Sequence, residues 1–262
     1  VADRHVLITG ASGGLGAAVA RWLASVGVSL TLVARSKLEL DAVAHQVELA
    51  GGRALPVRSD VSSVLACRKA VRSGVETFGR LDALINNAAV VEPLSRIRNT
   101  DPSAWQNAMA TNLLGPLYLV RDSLPALQRA GGRVMNITSG AAEISLVAAG
   151  AYCTSKSALN HLTRVMGQEI PDVTSVAIRP GIVDSPMQAH LRLRAPQVMP
   201  PEQSGYYRRI KSEGMLEPSH VPARGIAWAA LHAPAHWSGQ IMDYDDPRIA
   251  EPSLAYFGDR LR

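Results

Sequence analysis

Cysteine is nearly absent: only Cys67 and Cys153 occur in 262 residues, and they stand in no CxxC or zinc-like spacing. That excludes a disulfide scaffold and predicts a reducing, cytoplasmic location. The histidines are scattered. His232 and His236 are four apart, but Pro234 between them disfavours a helix that would align them, so no metal site is expected. Aromatic residues make up 5% of the chain, which leaves the core to aliphatic side chains. No apolar run reaches the roughly 18 residues of a membrane helix. The strand-like segment Arg4-His5-Val6-Leu7-Ile8-Thr9 starts so early that no signal peptide is expected ahead of it. A dense basic stripe is also missing. The nearest cluster, Arg192, Arg194, Arg208, Arg209 and Lys211, is not contiguous, so nucleic acid is not an expected partner. The net charge of +5 suits instead a solvated surface that favours anionic cofactors.

What is present points to one globular α/β domain. The chain is 47% hydrophobic and 19% charged, and its length is too short for two comfortable domains. Short apolar, β-branched runs at 4–9, 28–33, 53–58, 81–85, 132–138, 173–179 and 239–243 read as strands. Amphipathic stretches near 14–26, 36–50, 62–77, 102–128, 150–169 and 220–233 read as helices between them. Such alternation predicts βαβ units and a parallel, doubly wound, seven-stranded sheet with helices on both faces. Continuous runs such as Val6-Leu7-Ile8 and Ala83-Leu84-Ile85 suit strands covered on both sides. One stretch, 184–219, breaks the rhythm with five prolines and with Met187, Met199, Met215, Tyr206 and Tyr207. A long insertion with interrupted helical signal is expected to be a substrate loop, the alternative being an ordinary surface excursion.

Thr9-Gly10-Ala11-Ser12-Gly13-Gly14-Leu15-Gly16 follows the first strand and opens the first helix. Gly10 permits the tight turn, Gly14 removes a side chain where a pyrophosphate approaches the backbone, and Gly16 allows close packing of helix on sheet. Free N–H groups at the helix start, Ser12 and Leu15 among the surrounding residues, would then face the phosphates. Tyr152 and Lys156 stand at i and i+4 on one helix face. Ser139 lies just past a strand end, where ligands of open α/β sheets bind, so one cleft could collect all three.

These motifs, with Asp60-Val61, Asn86-Asn87-Ala88-Ala89, Asn112, Tyr152-Cys153-Thr154-Ser155-Lys156 and Pro180-Gly181, resemble the short-chain dehydrogenase/reductase family over nearly the whole chain. The resemblance implies a Rossmann fold and a nicotinamide cofactor. It implies Asn112, Ser139, Tyr152 and Lys156 as the catalytic set, with Tyr152 moving a proton and Lys156 also holding the nicotinamide ribose. In that set Asn112 would support a water-linked relay to the lysine. It implies adenosine contacts from Asp60, Val61, Asn86 and Ala88, and carboxamide contacts from Pro180, Gly181, Val183 and Ser185. Asp60 has a plainer alternative as the cap of a helix starting near Ser62. Ala89 departs from the family's usual glycine and Ser185 from its usual threonine. A lysine ammonium beside the phenol is expected to lower its pKa. By the same resemblance, subunits would pair into a dimer or tetramer through the helices near 102–128 and 150–169.

Ala34 stands where NAD-preferring members place an acid, and Arg35 follows it. A guanidinium can fork onto the 2′-phosphate, and Ser36 and Lys37 could add donors, so NADP(H) is the expected cofactor; Ser36 could equally cap the next helix. The Val33-Ala34-Arg35-Ser36 segment, Val183-Asp184-Ser185-Pro186-Met187-Gln188 and the acidic segment at 243–246 resemble the sepiapterin and benzil reductase branch. That implies reduction of a small-molecule ketone or diketone, with Asp246 as a speculative substrate contact or a solvated turn. Two other functions stay open on the sequence: an NADPH-binding sensor without turnover, and an NAD-linked alcohol dehydrogenase. The intact catalytic set argues against the first and Ala34-Arg35 against the second.

Overall fold

The computed structural model describes residues 3–258 and 260. Seven strands form one parallel sheet: β1 (His5–Thr9), β2 (Ser29–Ala34), β3 (Arg53–Arg58), β4 (Ala83–Asn86), β5 (Arg133–Ile137), β6 (Thr174–Arg179) and β7 (Ile241–Asp243). Their spatial order is β3-β2-β1-β4-β5-β6-β7. The order reverses between β1 and β4, so their carboxyl ends flank the crevice where such sheets bind ligands. β1, β2 and β4 are buried along their whole length, as their continuous apolar runs require. β3 alternates exposure and carries Pro56, which an edge strand tolerates because it has only one partner.

The helices are α1 (Gly14–Ala24), α2 (Lys37–Leu49), α3 (Val64–Phe78), α4 (Pro102–Met109), α5 (Gly115–Ala130), α6 (Gly150–Glu169), α7 (Pro186–Val198), α8 (Pro201–Ser212), α9 (His220–His232) and α10 (Pro247–Phe257). Apolar residues of α1, α2, α9 and α10 form one core with the sheet, including Trp22, Leu40, Ile226 and Phe257. Those of α3, α5 and α6 form the core of the other face, including Val71, Leu119, Leu127 and Met166. Gly16 is held by packing: a Cβ there would sit 2.3 Å from the Gly10 carbonyl oxygen.

Four expectations change. The stretch 102–128 is not one helix, because a π-helical segment at Ala110–Leu114 separates α4 from α5 and carries the buried Asn112. Such one-turn widenings are frequent at functional sites. The stretch 184–219 is mostly regular: it forms α7 and α8, whose Leu191, Ala195, Met199, Tyr207 and Ile210 pack with Val91 and Leu94 as a third core. Its two ends are stitched together where Asp184 N–H donates to Glu217 O at 2.8 Å and Glu217 N–H to Ile182 O at 2.9 Å. α10 was not expected at all. Asp60 does not cap α3, whose cap is Ser63; its carboxylate instead accepts from the N–H and hydroxyl of Ser62 within the preceding turn.

Candidate active site

A cleft of about 1260 Å³ runs across the carboxyl ends of the strands. That exceeds the common range for a single small-molecule site and leaves room for a dinucleotide with a second molecule beside it. Gly10, Ser12, Gly14 and Leu15 line one end, where Gly10 and Gly14 hold positive φ values of 64° and 52°. Their backbone therefore turns as only glycine does without strain. The start of α7 lies over this turn, since a Cβ on Gly14 would meet Pro186 and Ser185 at ordinary contact distance. Thr9 braces the turn from below: its hydroxyl accepts from the N–H groups of Asn87 and Ala88, both at 3.0 Å.

Arg35, Ser36, Ser59, Asp60 and Val61 line the outer end of the same cleft. Ser36 occupies the cap position of α2 without a side-chain bond to the helix. Lys37 pairs with Asp41 at 2.5 Å along the exposed face of α2. The Asp60 carboxyl is held below the usual carboxylate range by the Ser62 backbone N–H, with help from the Ser62 hydroxyl and the charge of Arg35.

At the inner end, Ser139 follows β5 while Tyr152 and Lys156 project from the first turns of α6. Lys156 is buried, and its Nζ donates to the Ile137 carbonyl at 2.7 Å. The same Nζ lies 5.8 Å from the centre of the Tyr152 ring. The Ser139 hydroxyl accepts from Ala141 N–H at 3.2 Å and, like Tyr152, lines the cleft. Burial draws the Lys156 ammonium down to about 8. Burial also pushes the Tyr152 phenol above its usual value, against the opposing pull of the Ser139 hydroxyl. The expected acidification of the phenol by the ammonium is therefore not what this site displays. Taking both groups out of water disfavours phenolate and ammonium alike.

Of the residues expected on sequence grounds, Ser139, Tyr152, Lys156, Gly10, Ser12, Gly14, Leu15, Arg35, Ser36, Asp60, Val61, Ala88, Pro180, Gly181, Val183 and Ser185 all line the cleft. Three do not. Gly16 serves the packing of α1. Asn86 is buried beneath the cleft, donating to Asn136 Oδ1 at 2.9 Å. Asn112 spends its side chain on Val90, exchanging bonds with its N–H and carbonyl at 2.8 Å, and on Ser155 at 3.0 Å. It thus braces the loop after β4 against α6.

The far wall comes from Ile144, Leu146, Met187, Leu191, Tyr206 and Tyr207. Of the other methionines in the 184–219 stretch, Met199 is core and Met215 is exposed, and neither lines the cleft. Asp246 stays outside the cleft: it caps α10, accepts from Arg248 N–H at 3.0 Å and pairs with the Arg248 guanidinium at 2.7 Å. Ile144, Leu146, Leu191 and Ser59 escaped sequence reasoning. The position of 139–149 just beyond the carboxyl end of β5 was the signal that could have found the first two.

The cleft fits a nicotinamide dinucleotide on its own terms. Besides the glycine turn, Ser59 Oγ and Thr138 Oγ1 are buried on its walls without a hydrogen-bond partner. Buried polar groups are normally satisfied, and two on one cleft wall suit a polar ligand. Among the described residues no cluster could hold a metal ion and no helix is long and apolar enough to cross a membrane.

Comparison with known proteins agrees with this geometry. A family model described as short chain dehydrogenase matches residues 4–195. The oxidoreductase YIR035C of Saccharomyces cerevisiae is 33% identical over 250 residues, covering 94% of this chain and 97% of that protein. The oxidoreductase C30D10.05c of Schizosaccharomyces pombe is 30% identical, covering 93% and 97%. The crystal structure of YIR035C superposes with a TM-score of 0.90 over 95% of this chain and 98% of that one. That of the KRED1-Pglu enzyme does so with a TM-score of 0.87 at 30% identity, over 91% and 99%. The chain belongs to the short-chain dehydrogenase/reductase family of oxidoreductases, whose members bind a nicotinamide cofactor.

Proposed function

We propose that this protein is an NADPH-dependent carbonyl reductase acting on small or aromatic ketones and diketones, with Tyr152 as the proton donor. The observation that carries this reading is the meeting of Ser139, Tyr152 and the buried Lys156 on one wall of a cleft whose other end is the glycine turn. Reducing a ketone consumes one hydride at carbon and one proton at oxygen. When bound, the reduced nicotinamide supplies the hydride. The protein must then hold a proton ready, and a phenol kept neutral by burial does so across the neutral range.

Ser139 would donate to the substrate oxygen, stabilising the negative charge that grows there as the carbonyl is reduced. Lys156, anchored on the Ile137 carbonyl, would hold the nicotinamide ribose hydroxyls and replenish positive potential beside Tyr152 as it gives up its proton. Asn112 would act by holding Val90 and Ser155, a positioning role rather than a contact. Gly10, Ser12, Gly14 and Leu15 would receive the pyrophosphate, Asp60 and Val61 the adenine, and Pro180, Gly181, Val183 and Ser185 the carboxamide. Arg35 and Ser36 would receive the 2′-phosphate; no acidic side chain stands at Ala34 to repel it.

The walls suit a substrate with an apolar body. Ile144, Leu146, Met187, Leu191, Tyr206 and Tyr207 surround the space in front of Tyr152, and a methionine in such a wall adapts to different shapes. That agrees with the resemblance to the sepiapterin and benzil reductase branch. Leu114 and Leu117 expose apolar side chains at the start of α5, which supports pairing of subunits through that face.

The test is cofactor consumption across a panel of aromatic diketones, quinones, pterins and steroid ketones, run in parallel with NADPH and NADH. Turnover of at least one diketone with clear preference for NADPH is the expected result. Faster turnover with NADH throughout the panel, or none with either cofactor, would overturn the reading.

A further inference from the structure

Arg58 ends β3 opposite Ala34 in the β2–β3 register, next in sequence to Ser59 and Asp60, which line the outer end of the cleft. Its Nε donates to the carbonyl of Arg35 at 3.2 Å. We infer that Arg58 is a second guanidinium for the 2′-phosphate of NADP(H), shared with Arg35. The inference rests on the NADP(H) reading above and adds a residue to it.

The charges around this end of the cleft carry the argument. Among the described residues, neither the Arg35 side chain nor the terminal nitrogens of Arg58 have a hydrogen bond or ion pair. Lys37 already has a partner in Asp41, on the exposed face of α2. The nearby carboxylate, Asp60, is engaged by the N–H and hydroxyl of Ser62 and makes no ion pair with either arginine. Two like charges are thus gathered on adjacent strand ends, where Asp60 lies within reach of the Arg35 charge but pairs with neither arginine, beside the unpartnered, buried hydroxyl of Ser59.

The bond from Nε also decides geometry. It ties the Arg58 guanidinium to the backbone of the residue whose side chain lines the cleft. That leaves the terminal nitrogens, the forked donors best suited to a phosphate, without a protein partner. A dianion meeting both arginines would take charge-assisted bonds from each, whereas an adenosine lacking the phosphate would gain nothing from Arg58. The edge position of β3 makes this possible, since one side of the strand has no neighbour to cover the arginine.

Calorimetric titration of the full chain with 2′,5′-ADP, and with 5′-AMP as control, tests the inference without any catalytic readout. Arg58→Ala is expected to weaken 2′,5′-ADP binding about ten-fold and to leave 5′-AMP binding and the melting temperature unchanged. Arg58→Lys, which keeps the charge but loses the fork, should fall between. Arg58 is overturned if Arg58→Ala leaves 2′,5′-ADP binding unchanged while Arg35→Ala weakens it; the NADP(H) reading would then survive. It is equally overturned if Arg58→Ala weakens both probes alike, the mark of mere support for the loop. If the unaltered chain binds both probes equally, the NADP(H) reading itself fails.

Discussion

The Lys156 Nζ lies 5.8 Å from the centre of the Tyr152 ring but is hydrogen-bonded to the Ile137 carbonyl, so the ammonium faces the phenol without touching its oxygen as a partner. Both side chains are withdrawn from water. The arrangement keeps the phenol protonated and makes the lysine the group that titrates nearest to neutrality.

From that follows a pH dependence. The Lys156 ammonium is charged below about 8 and neutral above it. The charge is needed beside a phenol that is losing its proton, so kcat/KM for carbonyl reduction should be flat near neutrality and fall as pH rises through about 8. Lys156→Arg, whose charge persists at all these pH values, should turn over more slowly but lose that descending limb. A wild-type profile that rises through the same range would assign the titration to another group.

A second prediction concerns Asp246, which the sequence alone left between substrate contact and turn. In the structure it caps α10. Asp246→Ala should lower stability by about 1 kcal/mol in urea denaturation. Turnover and KM should be unchanged, because the residue stays off the cleft. A KM raised several-fold at unchanged stability would restore it to the substrate site.

A third lies far from the cleft, at His5. This buried ring bonds the Arg80 carbonyl and the Thr31 hydroxyl, the latter at 2.8 Å. Burial lowers its pKa from 6.5 to about 4. Between those values the unfolded chain binds a proton that the folded chain refuses, so stability is lost as pH falls from 6.5 and the loss is complete below about 4. The full effect is roughly 3 kcal/mol. Urea midpoints of the wild type and of His5→Gln at neutral and acid pH measure it. Equal acid losses in the two proteins would remove His5 as the cause.

The sheet was legible because its signals are local and repeated. Val6-Leu7-Ile8 and Ala83-Leu84-Ile85 can be nothing but covered strands once helices flank them, and glycines at 10, 14 and 16 announce a turn from strand to helix. The meeting of Ser139, Tyr152 and Lys156 in one cleft was legible for the same reason, with a fixed helical spacing for Tyr152 and Lys156 and a strand end for Ser139. What escaped depends on tertiary partners. α7 has Pro196 inside it and buries only Leu191 and Ala195, so no apolar stripe marks it in the sequence. α10 carries Pro252 within it, yet Asp246-Pro247 at its start and Ile249, Ser253 and Phe257 at four-residue spacing were a readable cap and face. The break at Asn112 comes with bonds to Val90 and Ser155, residues remote in sequence, which no local pattern encodes.

The central claim is that Tyr152 delivers the proton, and Tyr152→Phe tests it most directly. The ring stays and only the hydroxyl goes, so NADPH titrated by calorimetry should bind within about two-fold of the wild-type protein. Reduction of the best diketone substrate should fall by roughly 10²- to 10⁴-fold. NADPH binding preserved together with near-normal turnover would contradict the account.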